Sequence, residues 1–185
     1  MTGVDIARAL AIPGLMEQDE MVFLASCAMA APDGWIVDLG TYLGRSACLL
    51  AQVARARGMP CLSIDHFNPF QFADGRPGQA NMSAAGCSLG DLAQFVHFHR
   101  GDSAQVPPEV DGVGFLFIDT DHSQKHLKEV LDAWRPHLTE GGIIALHDYD
   151  GTHPIRPVID ERFYDGPGWG CRGLVGSLIV FQETR

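Results

Sequence analysis

No two cysteines in this chain stand two residues apart, although there are five of them, Cys27, Cys48, Cys61, Cys87 and Cys171. The paired spacing of a zinc or thiol-redox motif is therefore absent. An odd number of unpaired thiols, three of them in apolar stretches, reads as free cysteines in a reducing cytosol. Basic clusters are missing too. The 13 lysines and arginines are scattered singly against 23 acids, for a net charge of -10. Such a surface repels phosphate backbones and anionic headgroups, so neither nucleic acid nor a membrane is an expected partner. No apolar stretch approaches the roughly 20 residues that span a bilayer. Met1 to Leu15 lacks the basic start and long apolar run of a signal peptide. A cytoplasmic protein is expected. Internal repeats and low-complexity tracts are absent as well. Charged residues make up only 19% of the chain while 46% is hydrophobic, a balance that folds rather than staying disordered. A length of 185 residues suits one domain spanning 1–185.

What the chain does contain is an alternation. Continuous apolar runs occur at Trp35 to Leu39, Cys61 to Asp65, Phe95 to His99, Val113 to Asp119, Gly142 to His147 and Ser177 to Phe181. Runs of this kind suit strands covered on both faces, as in a parallel sheet. Helical patterns separate them. Glu17 to Ala30 forms the main part of an N-terminal helical segment (1–30). Arg45 to Arg57 carries Leu49, Leu50 and Val53 on one face, and His126 to His137 carries Leu127, Val130, Leu131 and Trp134. Gly141-Gly142 stops the last of these. The pattern predicts an α/β fold: a Rossmann-like, doubly wound, mostly parallel sheet of seven strands flanked by helices. Two stretches are irregular, 68–86 and 148–170, the second with a helical piece at Ile155 to Phe163.

In open parallel sheets, ligands bind beyond the carboxyl ends of the strands. Here those ends carry Asp38 and Gly40, Asp65-His66, Gly101-Asp102-Ser103, Asp119-Thr120-Asp121-His122 and His147-Asp148. Carboxylates crowded along one edge call for cationic or hydroxyl partners. The first loop, Asp38-Leu39-Gly40-Thr41-Tyr42-Leu43-Gly44-Arg45-Ser46, joins a strand to a helix as a nucleotide loop does. It is not the dinucleotide fingerprint, which needs glycine where Tyr42 stands so that the backbone can reach a pyrophosphate. Its leading acid also disfavours phosphate. An acid with Gly40 and Gly44 suits a ligand bearing an amino group and no phosphate, and S-adenosylmethionine is one.

With these motifs in order, the chain resembles a class I S-adenosylmethionine-dependent methyltransferase of the small-molecule O-methyltransferase branch. The likeness covers about residues 30 to 150 and closes with Gly141-Gly142 ahead of Leu146-His147-Asp148-Tyr149. It implies that Asp38, Gly40, Thr41, Tyr42, Gly44 and Ser46 contact the methionine part. Asp65, with His66 beside it, would bind the ribose hydroxyls. Asp102 would take the adenine amino group, with Ser103 beside it, and Asp119 would lie near the methionine end and face the acceptor.

A hydroxyl acceptor must lose a proton, and Asp121 and His122 are the candidate bases. The resemblance further implies a divalent-metal site at Asp119, His147 and Asp148, where histidine replaces the usual oxygen ligand. That replacement disfavours magnesium and suits manganese, iron or zinc. A methyltransferase acting on a small hydroxylated molecule leads. A NAD(P)-dependent oxidoreductase, a cofactor binder without turnover and a hydroxylase-like metal enzyme are the alternatives. The bland readings are a helix cap or turn for Asp65, Asp102-Ser103 and Asp121-His122, and structural hydrogen bonding for His147-Asp148. His97 and His99 read as surface or packing residues and Trp134 as core. Trp169 either lines the acceptor pocket or packs. Nothing in the pattern decides whether the chain forms a homodimer.

Overall fold

A computed structural model describes residues 3–71 and 77–184. Its helices are α1 (Ile6–Leu10), α2 (Gln18–Ala30), α3 (Arg45–Arg57), α4 (Met82–Leu89), α5 (Gln124–Trp134) and α6 (Arg156–Ile159). The strands are β1 (Trp35–Leu39), β2 (Cys61–Asp65), β3 (Pro69–Gln71), β4 (Pro77–Gln79), β5 (His97–Arg100), β6 (Val113–Ile118), β7 (Leu138–Leu146), β8 (Trp169–Val175) and β9 (Leu178–Glu183). Seven of them form one sheet in the order β5-β2-β1-β6-β7-β9-β8, and β3 and β4 pair separately. The first five are parallel, and β9 runs antiparallel to both β7 and β8. The expected seven-stranded, mostly parallel, doubly wound sheet is what forms.

The continuous apolar runs follow from that burial. Alternate residues of each strand enter opposite cores. Ile36, Phe115, Phe117, Ile143, Ala145 and Val180 face α1, α2 and α3. Val37, Leu116, Ile118, Ile144, Leu146 and Phe181 face α5 and α6. Arg45 ties α1 and the chain after it to α3, donating to the carbonyls of Ile12 (2.7 Å) and Met16 (2.6 Å).

The departures from the sequence reading have local causes. Residues 90–95 form a 3-10 turn, so β5 begins at His97 rather than Phe95. Within the stretch read as a loop, Asn81 accepts from the Ala84 N–H at 3.0 Å and starts α4. The part of that stretch at 72–76 lies outside the described residues. β8 escapes the sequence pattern because it is an edge strand holding Gly170 and Gly173, with little β-branched content. Cys27, Cys48 and Cys61 are buried free thiols, as expected, and Cys87 and Cys171 are exposed. Among the described residues, no helix is long and apolar enough to cross a membrane.

Trp134 is fully buried on the apolar face of α5, and its Nε1–H donates to the Ser103 carbonyl at 2.6 Å. Trp134→Ala is expected to lower unfolding free energy by about 3–5 kcal/mol through the cavity and the lost donor. Lys125→Ala, on the solvent face of the same helix, should change it by under about 0.5 kcal/mol. Denaturant titration checks both.

Candidate active site at the carboxyl edge of the sheet

The ladder bonds run one residue beyond the apolar strands. Gly40 donates its N–H to Ile64, Asp119 to Leu39 and His147 to Ile118, at 2.9, 2.8 and 3.1 Å. The first residues after β1, β6 and β7, namely Gly40, Asp119 and His147, are thereby set side by side. Strand order reverses between β1 and β6, where a crevice opens in this kind of sheet. Gly40 is required there. Its φ is +106°, and a Cβ would lie 1.8 Å from the Asp119 carbonyl oxygen.

Beneath the first loop lies a buried polar chain. Thr41 and Ser63 share a hydrogen bond of 2.7 Å, and Ser63 donates to Asp38 Oδ2 at 2.6 Å. Asp38 is fully buried and its Oδ1 has no hydrogen-bond partner among the described residues. Burial pushes its pKa up to about 7, with the Ser63 and Ser46 hydroxyls pulling it back and Asp119 and Asp65 adding to the rise. Asp38, Thr41 and Ser46 thus lie inside the loop, while Gly40, Tyr42 and Gly44 shape it with φ values of +106°, +48° and +96°.

Asp65 is pinned by backbone. Its Oδ2 accepts from Tyr42 N–H at 2.9 Å and its Oδ1 from Phe67 N–H at 2.6 Å. His66 is exposed. Tyr42, Phe67 and Asp148, the three described non-glycine residues with positive φ, follow β1, β2 and β7 on this one edge. Strained backbone gathers at this edge, as it does at functional sites.

The densest group of titratable side chains lies beyond β6 and β7. His147 Nδ1 is 3.3 Å from Asp148 Oδ1 and 3.7 Å from Asp119 Oδ1. His122 Nε2 meets Asp148 Oδ2 at 2.5 Å and lies 4.0 Å from Asp119. His153 stacks obliquely on His122, with ring centres 4.6 Å apart. Asp119, His122 and His147 also line a small recess. Burial opposes a charge on His147, but hydrogen bonds with Asp119 and Asp148 outweigh it and raise the pKa to about 11. Burial likewise opposes the charge on Asp148, and His122 and His147 overcome it, holding that carboxyl well below its usual range. The Asp148 hydrogen bond raises His122 against burial. Ligand atoms of Asp119, His147 and Asp148 all fall within 4.8 Å of one another. The two N–O separations, 3.3 and 3.7 Å, suit a common centre with bonds of about 2.0–2.2 Å.

Other expected residues lie apart from this group or are engaged elsewhere. Asp121 is exposed and accepts the Ser123 N–H at 2.8 Å, in the turn before α5. Asp102 stands at the β5 end and accepts the Ala104 N–H at 2.9 Å. Ser103 is buried with its hydroxyl 2.8 Å from His126 Nε2, turned toward α5. Trp169 packs edge-to-face on Phe163 beneath Arg135, on the α5 side. His97 and His99 are exposed. Ser63, His153, Glu20 and Ser177 were not read from the sequence. Serine within a strand at residue 63 was the one available signal, since an inward hydroxyl there needs a partner.

The sequence model of a family described as "Methyltransferase domain" matches residues 37–149. Among solved structures, the O-methyltransferase NovP is 16% identical with a TM-score of 0.76, over 91% of this chain and 81% of that one. The calicheamicin methyltransferase CalS11 is 19% identical with a TM-score of 0.64, over 88% and 76%. The O-methyltransferase TomG from Streptomyces achromogenes, solved in complex with SAM, is 15% identical with a TM-score of 0.65, over 97% and 86%. At these identities the structural likeness establishes the fold.

The pH dependence of stability tests the buried acid. An Asp38 carboxyl raised to about 7 holds its proton in the native state after the unfolded chain has released its own. Native protein then binds more protons than unfolded between about pH 4 and pH 7, and stability falls as pH rises through that window. Relative to Asp38→Asn, the wild type should lose up to about 4 kcal/mol between pH 4 and pH 8. Parallel curves for the two proteins in urea titrations across this range would contradict it.

Proposed function

We propose that this chain, which belongs to the methyltransferase domain family, transfers the methyl group of S-adenosylmethionine to a hydroxyl of a small acceptor. The observation that carries the reading is an excess of carboxylates over cations at this edge: His122 and His147 meet Asp119 and Asp148, while Asp65 is held by backbone N–H groups. Asp38, Asp65, Asp119 and Asp148 lie at the carboxyl ends of β1, β2, β6 and β7, on either side of the strand-order reversal. Among the described residues, no lysine or arginine forms an ion pair with them. Such an edge favours a positively charged ligand and disfavours a pyrophosphate. Tyr42, where a dinucleotide loop needs glycine, weighs the same way against NAD(P).

The chain's residues fit the donor. Each Asp65 oxygen holds one backbone N–H, which leaves a second lone pair on each for the two ribose hydroxyls. The Gly40–Gly44 turn receives the methionine end, and Asp102 at the β5 end accepts from the adenine amino group. The sulfonium donor supplies an electrophilic methyl group. The protein's part is to align the acceptor and remove its proton. His122, half-buried at the recess and oriented by Asp148, is the base in this reading. Asp121 is the weaker candidate, since its carboxylate serves the turn before α5.

Asp119, His147 and Asp148 also have the spacing and donor types for a divalent cation. Bound there, it would lower the pKa of the acceptor hydroxyl and orient it. A nitrogen ligand among two carboxylates favours manganese, iron or zinc over magnesium. The acceptor side is assigned to the irregular segments 68–86 and 148–170, the second of which contributes Ile155 to the lining of the recess. That the same-fold proteins NovP and TomG are O-methyltransferases supports a small hydroxylated acceptor.

S-adenosylmethionine should raise the melting temperature while NAD does not, and equal shifts or none would contradict the reading. Asp65→Ala should weaken donor binding about 10²- to 10⁴-fold by calorimetry, from two lost charged hydrogen bonds. His122→Ala should leave donor affinity intact and cut kcat about 10²- to 10⁴-fold.

A further inference from the structure

Glu20 is a carboxylate 4% exposed, on a helix outside the family-matched residues 37–149. Four polar groups surround it. The Glu17 N–H donates to its Oε2 at 2.8 Å. The Ser177 N–H and Ser177 hydroxyl donate to its Oε1 at 2.7 and 2.9 Å. His147 Nε2 lies 3.5 Å from Oε2 and 3.1 Å from Ser177 Oγ. The contact between α2 and the β8–β9 turn is made possible by Gly176. A Cβ there would stand 2.5 Å from Glu20 Oε1, and its φ is +58°.

Counting hydrogens settles which ring nitrogen of His147 carries one. A serine hydroxyl has a single hydrogen, and an ionised carboxylate only accepts. The Ser177 hydrogen is therefore spent on Glu20, and Ser177 Oγ can only accept from the ring. His147 Nε2 carries hydrogen, directed inward at Ser177 and Glu20. In the neutral ring the lone pair is then on Nδ1, directed at Asp119 and Asp148. Without a cation, a proton on Nδ1 meets the two carboxylates; a divalent cation would displace that proton and take its place among the three ligand atoms.

We infer that Glu20 and Ser177 are positioning residues: they hold His147 with Nε2–H turned inward, so that Nδ1 is presented with Asp119 and Asp148 to a divalent cation. The inference rests on the cation reading of the proposed function and extends it to residues that never touch the ion. The N-terminal helix and the antiparallel edge of the sheet thereby become parts of the site. A histidine ligand whose second nitrogen is held by a carboxylate or its relay binds metal more tightly, typically 10- to 100-fold.

The test uses the full chain, stripped with chelator and titrated with Mn²⁺ by calorimetry. Ser177→Ala should weaken Mn²⁺ about 10- to 100-fold, while Ser177→Thr, which keeps the hydroxyl, should stay within about threefold of wild type. Glu20→Gln should weaken binding as well. Long-range ¹⁵N–¹H spectra of Zn²⁺-loaded wild type should show His147 protonated at Nε2. A purely structural role would lower the melting temperature of Ser177→Ala and leave its Mn²⁺ affinity unchanged, and that result would overturn the inference alone. A His147 proton on Nδ1 in the loaded protein would do the same. Wild type that takes up no Mn²⁺ below about 1 mM would overturn the cation reading and this inference together.

Discussion

The parallel pairing of β1 with β6 governs everything at the carboxyl edge. It places Gly40 against the Asp119 backbone so closely that no side chain fits between them. It also makes that line the point where strand order reverses. The ladder bonds from Asp119 to Leu39 and from His147 to Ile118 carry the same register across to β7. A slip of one residue would turn these polar ends to the opposite face of the sheet. The apolar strand bodies prevent the slip, because both faces are buried and every inward residue has its own partners in one of two cores.

Buried acids on this edge are handled in two different ways. Glu20 is surrounded by backbone and hydroxyl donors, and these outweigh burial and keep its carboxyl below the ordinary range. Asp38 has only the Ser63 and Ser46 hydroxyls to offset its burial, with no hydrogen bond to Oδ1 among the described residues, and burial prevails. The difference lies in depth of burial, in donor count and in neighbouring charge, with His147 beside Glu20 and Asp119 and Asp65 beside Asp38. It separates a charge built into the scaffold from a carboxyl that can gain or lose a proton near neutral pH. Asp119 and Asp148 form a third case, with imidazoles rather than backbone as partners. Even with His122 and His147 both protonated, the three carboxylates of Asp119, Asp148 and Glu20 leave negative charge in excess.

The strand bodies, the helices that follow them and the order of acidic strand ends were legible in the chain. Each is written in local periodicity: apolar runs for buried strands, Leu127, Val130, Leu131 and Trp134 for α5, and glycines at Gly40 and Gly44 for the loop. β8 was not legible, because an edge strand with Gly170 and Gly173 carries neither a run nor an alternation. The charge pattern also separated this loop from a dinucleotide fingerprint, through Asp38 and Tyr42. These features depend on residues within one or two turns of one another, and sequence proximity is enough to expose them.

Which of the polar residues meet was decided only by the fold. Asp121 and His122 are neighbours, yet one serves a turn and the other joins Asp148. Ser103 sits beside Asp102 and turns to α5. Glu20 and Ser177 are 157 positions apart and share a hydrogen bond under His147. Partnerships of this kind depend on burial and on the direction of single side chains. Those directions are set by the sheet register and by helix docking, which assemble from the whole chain and leave no periodic mark in the sequence.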